Sequence, residues 1–268
     1  SDGTRGISGH SDGKVRVWET EEPDNDWANP FQRPSTILEG HDGFVLGVVF
    51  SPDGTLAVSA DESGRIIVWD MATNTEKGRL VGHTSGVRSI AISTDNKLAV
   101  SADEVDDDST IRVWDLDTNM EKSAFKGNKI KTVCISPSGT FVLSGSWDSM
   151  LMCWDLETGK STPLQGHSSF VDDIAITPDG KLAVSTSGDE TIKIWTLENQ
   201  ANSEHKSMKL GESGGRVAIS KCGKFAATVN YGTKSTFDPK KTAKIWDLHK
   251  GEEVGSESLL GGSSCVIC

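Results

Sequence analysis

No stretch of this 268-residue chain approaches the ~18 consecutive apolar residues of a membrane-spanning helix, so no such span is expected. The first residues, SDGTRGISGH, lack the charged and apolar regions of a secretory signal. They also lack an initiator Met, as expected of a processed or trimmed chain. Basic residues are in deficit: 27 Lys and Arg face 39 Asp and Glu, a formal net charge of −12. That balance argues against a nucleic-acid partner or an anionic membrane surface, because both call for clustered cations. Cysteine is sparse and odd in number: Cys134, Cys153, Cys222, Cys265 and Cys268. With no paired spacing and no Asn-x-Ser/Thr site, a reducing intracellular compartment is expected, the cytoplasm first. Cys265-Val-Ile-Cys268 has redox or zinc spacing without a second pair, and it matches a prenylation box by pattern. It is read here as ordinary β-strand. HExxH, P-loop, G-x-S-x-G and GxGxxG signatures are all missing.

Helical periodicity is missing too, and a repeat stands in its place. Six tryptophans end similar runs: Trp18 (VRVWET), Trp69 (IIVWDM), Trp114 (IRVWDL), Trp154 (LMCWDL), Trp195 (IKIWTL) and Trp246 (AKIWDL). Their spacings are 51, 45, 40, 41 and 51 residues. The flanking residues are β-branched and alternate, which is strand patterning. Turn sequences lie upstream: Ser51-Pro-Asp-Gly54, Ser136-Pro-Ser-Gly139 and Thr177-Pro-Asp-Gly180. A period of about 40–45 residues fits four short strands plus turns.

These residues resemble the WD-repeat β-propeller family along nearly the whole chain. The resemblance rests on Gly40-His41, Gly82-His83 and Gly166-His167, and on Trp-Asp at 69–70, 114–115, 154–155 and 246–247. It implies an all-β fold, a β-propeller of four-stranded antiparallel blades in a single domain over 1–268. Six tryptophan units predict six blades; seven, the family's commoner number, is the alternative. Residues 1–8 align with 52–59, so the chain begins at the turn after an innermost strand. Residues 260–268 resemble the run from Leu164 onward and read as an innermost strand. That C-terminal strand is expected to join the N-terminal strands and close the ring, removing two open edges.

A Ser lies ten residues before the Trp at Ser8, Ser59, Ser144 and Ser185, and an Asp lies six before it at Asp12, Asp108, Asp148 and Asp189. The resemblance implies a buried Trp–Ser–His–Asp network, each member of which needs a partner. Two sets look complete: His83/Ser101/Asp108/Trp114 and His167/Ser185/Asp189/Trp195. In the unit of Ser144, Asp148 and Trp154, Asn128 replaces the His. In the unit of Trp69, Ser63 replaces the Asp. In the last unit Glu212 and Thr228 stand in, and Lys240 takes the Asp position. His41, His83 and His167 are therefore read as structural and His10 as a turn residue. No catalytic residue, cofactor or metal site is expected.

Function is then sought in what varies. Three insertions stand out: Asp103–Asp108, strongly acidic; Tyr231–Lys241, basic; and Glu19–Arg33, acidic with Trp27 and Phe31. The acidic run 103–108 lacks the ordered ligand spacing of an EF-hand and is read as solvated charge. In relatives, partners touch residues at the start of each inner strand and the residue before the network Asp. Here those are Phe44 and Leu46, Gly86 and Arg88, Lys129 and Lys131, Phe170 and Asp172, with Trp147, Asp107 and Gly188 before the Asp. Phe44, Trp147 and Phe170 are candidate anchors, and Arg88 and Lys131 are candidate cations for an acidic or phosphorylated segment. The expected function is a non-enzymatic protein-interaction scaffold, a subunit of a complex that docks a protein or peptide on this face. One alternative is a propeller enzyme of the metal-assisted hydrolase or lactonase type. It needs converging polar ligands where Phe44, Gly86, Lys129 and Phe170 stand. The other is an accessory module of a larger multidomain protein.

Overall fold

The computed structural model describes residues 4–19, 35–103, 109–197, 205–211, 215–229 and 241–259. No α-helix occurs among them, and all strand pairing is antiparallel. The chain divides into two compact units, Ser1–Gly127 and Asn128–Cys268, with three sheets in each.

In the first unit one sheet is β1 (Arg5–Gly9), β2 (Lys14–Glu19) and β3 (Ser35–Glu39). The next is β4 (Val45–Phe50), β5 (Leu56–Asp61), β6 (Ile66–Asp70) and β7 (Thr75–Leu80). The third is β8 (Val87–Ile92), β9 (Leu98–Asp103), β10 (Thr110–Asp115) and β11 (Met120–Lys126). The second unit holds β12 (Ile130–Ile135), β13 (Phe141–Ser146), β14 (Leu151–Asp155) and β15 (Ser161–Leu164). Beside it are β16 (Val171–Ile176), β17 (Leu182–Ser187), β18 (Thr191–Thr196) and β19 (His205–Lys209). Its last sheet is β20 (Arg216–Ile219), β21 (Phe225–Val229), β22 (Lys241–Asp247) and β23 (Glu252–Leu259). The six sheets are all-β blades, one per tryptophan unit. The strand expected at 260–268 and the bulk of the three insertions lie outside the described residues.

Within each unit the sheets stack face to face, and this explains why their middle strands are apolar on both sides. Ala57, Ile67 and Trp69 enter a core shared with Ile7, Val15, Val17 and Leu38 of the preceding sheet. Their alternates Val58, Ala60, Ile66 and Val68 enter the next core with Val87, Ala99 and Trp114. Successive side chains of a strand point to opposite faces, and here both faces are dry. The second unit repeats the plan. Leu143, Leu151, Val171 and Trp195 form one core, and Val184, Ile192, Val217 and Trp246 form the next. A half-buried carboxylate, Asp173, ties its three sheets together. It accepts from Thr132 Oγ1 at 3.2 Å and from the Val217 N–H at 3.0 Å.

The first two strands of each four-stranded sheet are joined by one recurring turn. In Ser51-Pro-Asp-Gly54, Ser51 Oγ accepts the Leu56 N–H at 2.9 Å and donates to Asp53 at 2.7 Å. Gly54 has φ 73°, a left-handed conformation that glycine adopts without penalty. The 93–96 turn uses Asn96 at φ 61° in the same place, and the 220–223 turn uses Gly223. The innermost strands of neighbouring sheets approach closely. A Cβ on Gly47 would stand 2.9 Å from the Arg88 carbonyl oxygen, an atom of β8 backbone that has no rotamer to yield. Gly47→Ala is therefore expected to cost about 1–3 kcal/mol by overpacking. Urea denaturation of the purified variant checks this; an unchanged midpoint would show that β4 and β8 can separate freely.

Candidate functional site

The histidines that invite a catalytic reading are spent on holding blades together. His41 joins Asp61 at 2.8 Å and Ser59 Oγ at 2.6 Å, and Trp69 Nε1 donates to the same Ser59 Oγ at 2.8 Å. His83 joins Asp103 at 3.0 Å and Ser101 at 2.7 Å, with Trp114 on Ser101 at 2.7 Å. His167 joins Asp189 at 2.8 Å and Ser185 at 2.7 Å, with Trp195 on Ser185 at 2.8 Å. All three rings are buried. No group of three or more His, Cys, Asp or Glu side chains among the described residues is placed to hold a metal ion. Burial also pushes the Cys153 thiol up to about 12, and the Cys134 thiol rises for the same reason, which makes both poor nucleophiles.

Several assignments differ from the spacing rule. His83 meets the Asp103 carboxylate; Asp108, expected in that place, lies outside the described residues. Asp61 occupies the same place on His41, and Ser63 is its donor rather than its substitute, at 2.6 Å. Both aspartates end a strand two residues after the network Ser, in the identical hexapeptides Leu56–Asp61 and Leu98–Asp103. That identity was the available signal. His10 is part of a network after all: its Nε2 meets Ser8 Oγ at 2.8 Å, and Trp18 donates to Ser8 at 2.9 Å. Asp12 bonds Arg16 instead. Asn128 donates to Asp148 at 3.0 Å, while Trp154 donates to Ser144 at 2.8 Å. In the last blade Trp246 donates to Thr228 at 2.9 Å; Glu212 and Lys240 are outside the described residues. The Asp of each Trp-Asp pair has its own role. Asp70 accepts the N–H groups of Ala72 and Thr73, capping the turn into the outermost strand, and Asp115, Asp155 and Asp247 repeat this.

These carboxylates make stability depend on acid. Burial pushes Asp189 up, but hydrogen bonds from Thr191, the Ser168 N–H and His167 outweigh it and hold it at about 2. A group held below its unfolded value stabilises the fold fully above the unfolded pKa of about 4 and loses that contribution as pH falls toward the folded one. The melting-temperature gap between the wild type and Asp189→Asn should therefore be wide above about pH 5 and close between about pH 4 and 2. A gap that persists to pH 2 would contradict the assignment.

The candidate docking residues occupy a shared structural feature. Four innermost strands carry a register shift at their start, between Val45 and Gly47, Val87 and Ser89, Ile130 and Thr132, and Val171 and Asp173, whereas β20 pairs with β21 in unbroken register. The residues left out of the ladder are Leu46, Arg88, Lys131 and Asp172. A bulge re-aims the side chain it frees. In the first unit Phe44 is 51% exposed and bracketed by Glu62, whose carboxylate accepts the Phe44 N–H at 3.1 Å. Arg88 is exposed and Leu46 half-buried.

In the second unit four candidates meet. Trp147 follows β13, and Phe170 precedes β16 in the neighbouring sheet. Their ring centres are 5.3 Å apart and tilted. Phe170 lies over Gly188, leaving no room there for a Cβ. Lys131 Nζ sits 4.1 Å from the Trp147 ring centre and 4.3 Å from that of Phe170, and it is ion-paired with Asp172. Lys131 is thus not the open cation that the sequence suggests: its charge is already answered by Asp172.

Sheets of this order, stapled by Trp–Ser–His–Asp networks, define a propeller protein of the WD-repeat class. The WD40 family model, "WD domain, G-beta repeat", matches residues 32–70, 74–115, 120–155 and 159–196. The chain belongs to this family, whose members generally act as protein-interaction scaffolds. It is 33% identical to small ribosomal subunit protein RACK1y of Oryza sativa subsp. japonica, over 63% of this chain and 55% of that protein. It is 25% identical to autophagy-related protein 16 of Arabidopsis thaliana, over 63% of this chain and 31% of that one. It is 28% identical to protein groucho of Drosophila melanogaster, over 58% and 20%. The chain spans between a fifth and about half the length of these curated relatives. No helix among the described residues is long and apolar enough to cross a membrane.

Proposed function

We propose that this chain is a non-enzymatic scaffold that docks a protein or peptide partner through the Trp147–Phe170 cluster of the second unit; Phe44, in the first unit, is a separate candidate anchor. The observation that carries the proposal is Trp147 itself, 46% exposed although paired with a second ring. A fixed, half-open aromatic is the kind of group that anchors an interface once a partner removes it from water. The histidines, by contrast, are consumed in buried networks, which leaves little material for catalysis. One relative is by name a ribosomal subunit protein, and membership of an assembly suits the same reading. Free thiols at Cys134, Cys153 and Cys222 suit a reducing cytoplasm.

The test is affinity capture from native lysate with Trp147 and Phe170 changed together to Ala, and separately with Phe44→Ala, after circular dichroism has shown each variant folded. Partners of the wild type should be lost. Partners retained at full strength would rule this surface out.

A further inference from the structure

The cluster around Lys131 is a cation site that its own lysine fills imperfectly. Two ring faces, Trp147 and Phe170, lie against the ammonium, and Asp172 Oδ1 accepts from it. The other carboxylate oxygen, Asp172 Oδ2, is buried and has no hydrogen-bond partner. The Asp172 side chain is only 5% exposed, so water does not serve that oxygen as it would at the surface. A buried acceptor without a donor is a rare and unfavourable arrangement. It marks what is missing: a second N–H directed at the same carboxylate.

Lysine meets this carboxylate as a compact point charge through one oxygen. A guanidinium is flat, stacks on aromatic faces and presents paired N–H groups that match both oxygens of a carboxylate. We propose that Trp147, Phe170 and Asp172 form a receptor for an arginine side chain of a protein partner, with Lys131 as an internal placeholder that swings to solvent when arginine enters. Lys131 stands at the mouth of the site, its side chain 20% exposed beside the half-open Trp147. Its four-carbon stem lets the ammonium leave without backbone motion. The chain's net charge of −12 favours the approach of a basic segment over an acidic one. An acidic or phosphorylated segment is disfavoured locally as well, since Asp172 already neutralises Lys131. The inference rests on the docking reading above and names the chemistry of the partner.

The experiment is an NMR titration of the full chain with acetyl-Gly-Arg-Gly-amide, following the Trp147 indole N–H, which Trp147→Phe identifies. The citrulline peptide, of the same shape without charge, is the control. Lys131→Ala removes the placeholder and should tighten the arginine peptide about tenfold or more, while Asp172→Asn should weaken it by a similar factor. The Trp147 signal should move with the arginine peptide and stay still with citrulline. Should Lys131→Ala unfold the chain, Trp147→Ala, at an exposed position and followed through its backbone amide signals, still decides: it must lose the binding that the wild type shows. No tightening in a folded Lys131→Ala, equal response to citrulline, or binding that survives Trp147→Ala overturns the arginine site. A phosphoserine peptide that binds in place of arginine overturns it too. If the arginine site falls while the Trp147/Phe170 double variant still loses its partners, the docking surface stands with a different recognition chemistry.

Discussion

Asp103→Ala is expected to destabilise the chain by about 2–4 kcal/mol, a melting-temperature drop of roughly 5–15 °C for a protein of this size. The side chain is buried at the end of β9 and accepts from His83 Nδ1 and from the Thr110 N–H. Truncation strands both donors. It also frees the His83 ring, whose other nitrogen positions Ser101 for Trp114. The loss therefore spreads along a chain of polar groups, each buried and each dependent on the last. Asp103→Asn keeps an acceptor and should cost less. Differential scanning calorimetry of Asp103→Ala beside Asp108→Ala gives the decision: if Asp108→Ala is the more damaging, the network has been assigned to the wrong carboxylate.

Trp195→Ala should cost more still, about 3–5 kcal/mol, the range for deleting a buried aromatic. Trp195 is fully buried in the core that contains Leu143, Leu151 and Val171, and its indole N–H reaches Ser185 at 2.8 Å. Trp18 makes the equivalent bond to Ser8 at 2.9 Å but is only half-buried. Because the two tryptophans share the hydrogen bond and differ in burial, their comparison isolates packing. Trp18→Ala should fall near 1–2 kcal/mol, the value of a part-buried apolar group and one hydrogen bond. Equal losses in chemical denaturation would mean that the hydrogen bond, not the core, dominates.

The blades were legible in the sequence because their signals are local. Ser59 lies opposite Ile67 and Ala57 opposite Trp69, so within one hairpin the offset of ten brings the Ser and Trp side chains together on one face. The bond survives a change of offset: three extra residues at 101–114 leave the Trp114–Ser101 bond at 2.7 Å. Asp103 was harder, since counting six back from Trp114 lands on Asp108, at the other end of the acidic insertion. His10 was hidden for a related reason. It enters from the hairpin turn, whereas the other network histidines come from the stretch before the innermost strand.

The cluster of Lys131, Trp147, Phe170 and Asp172 shows where sequence ends. Each residue was a candidate by position, yet nothing in the order of residues says that Lys131 and Asp172, forty-one apart, neutralise one another. The sequence by itself determined the strands, the turns and the tryptophan-centred units, because period-two alternation, left-handed turn residues and hairpin offsets act between residues close in the chain. Only the tertiary structure decided which carboxylate meets which histidine, and that Lys131 is a paired charge between two rings. Those outcomes depend on bulges that re-aim single side chains and on the packing of one sheet against the next, and such contacts leave no periodic trace.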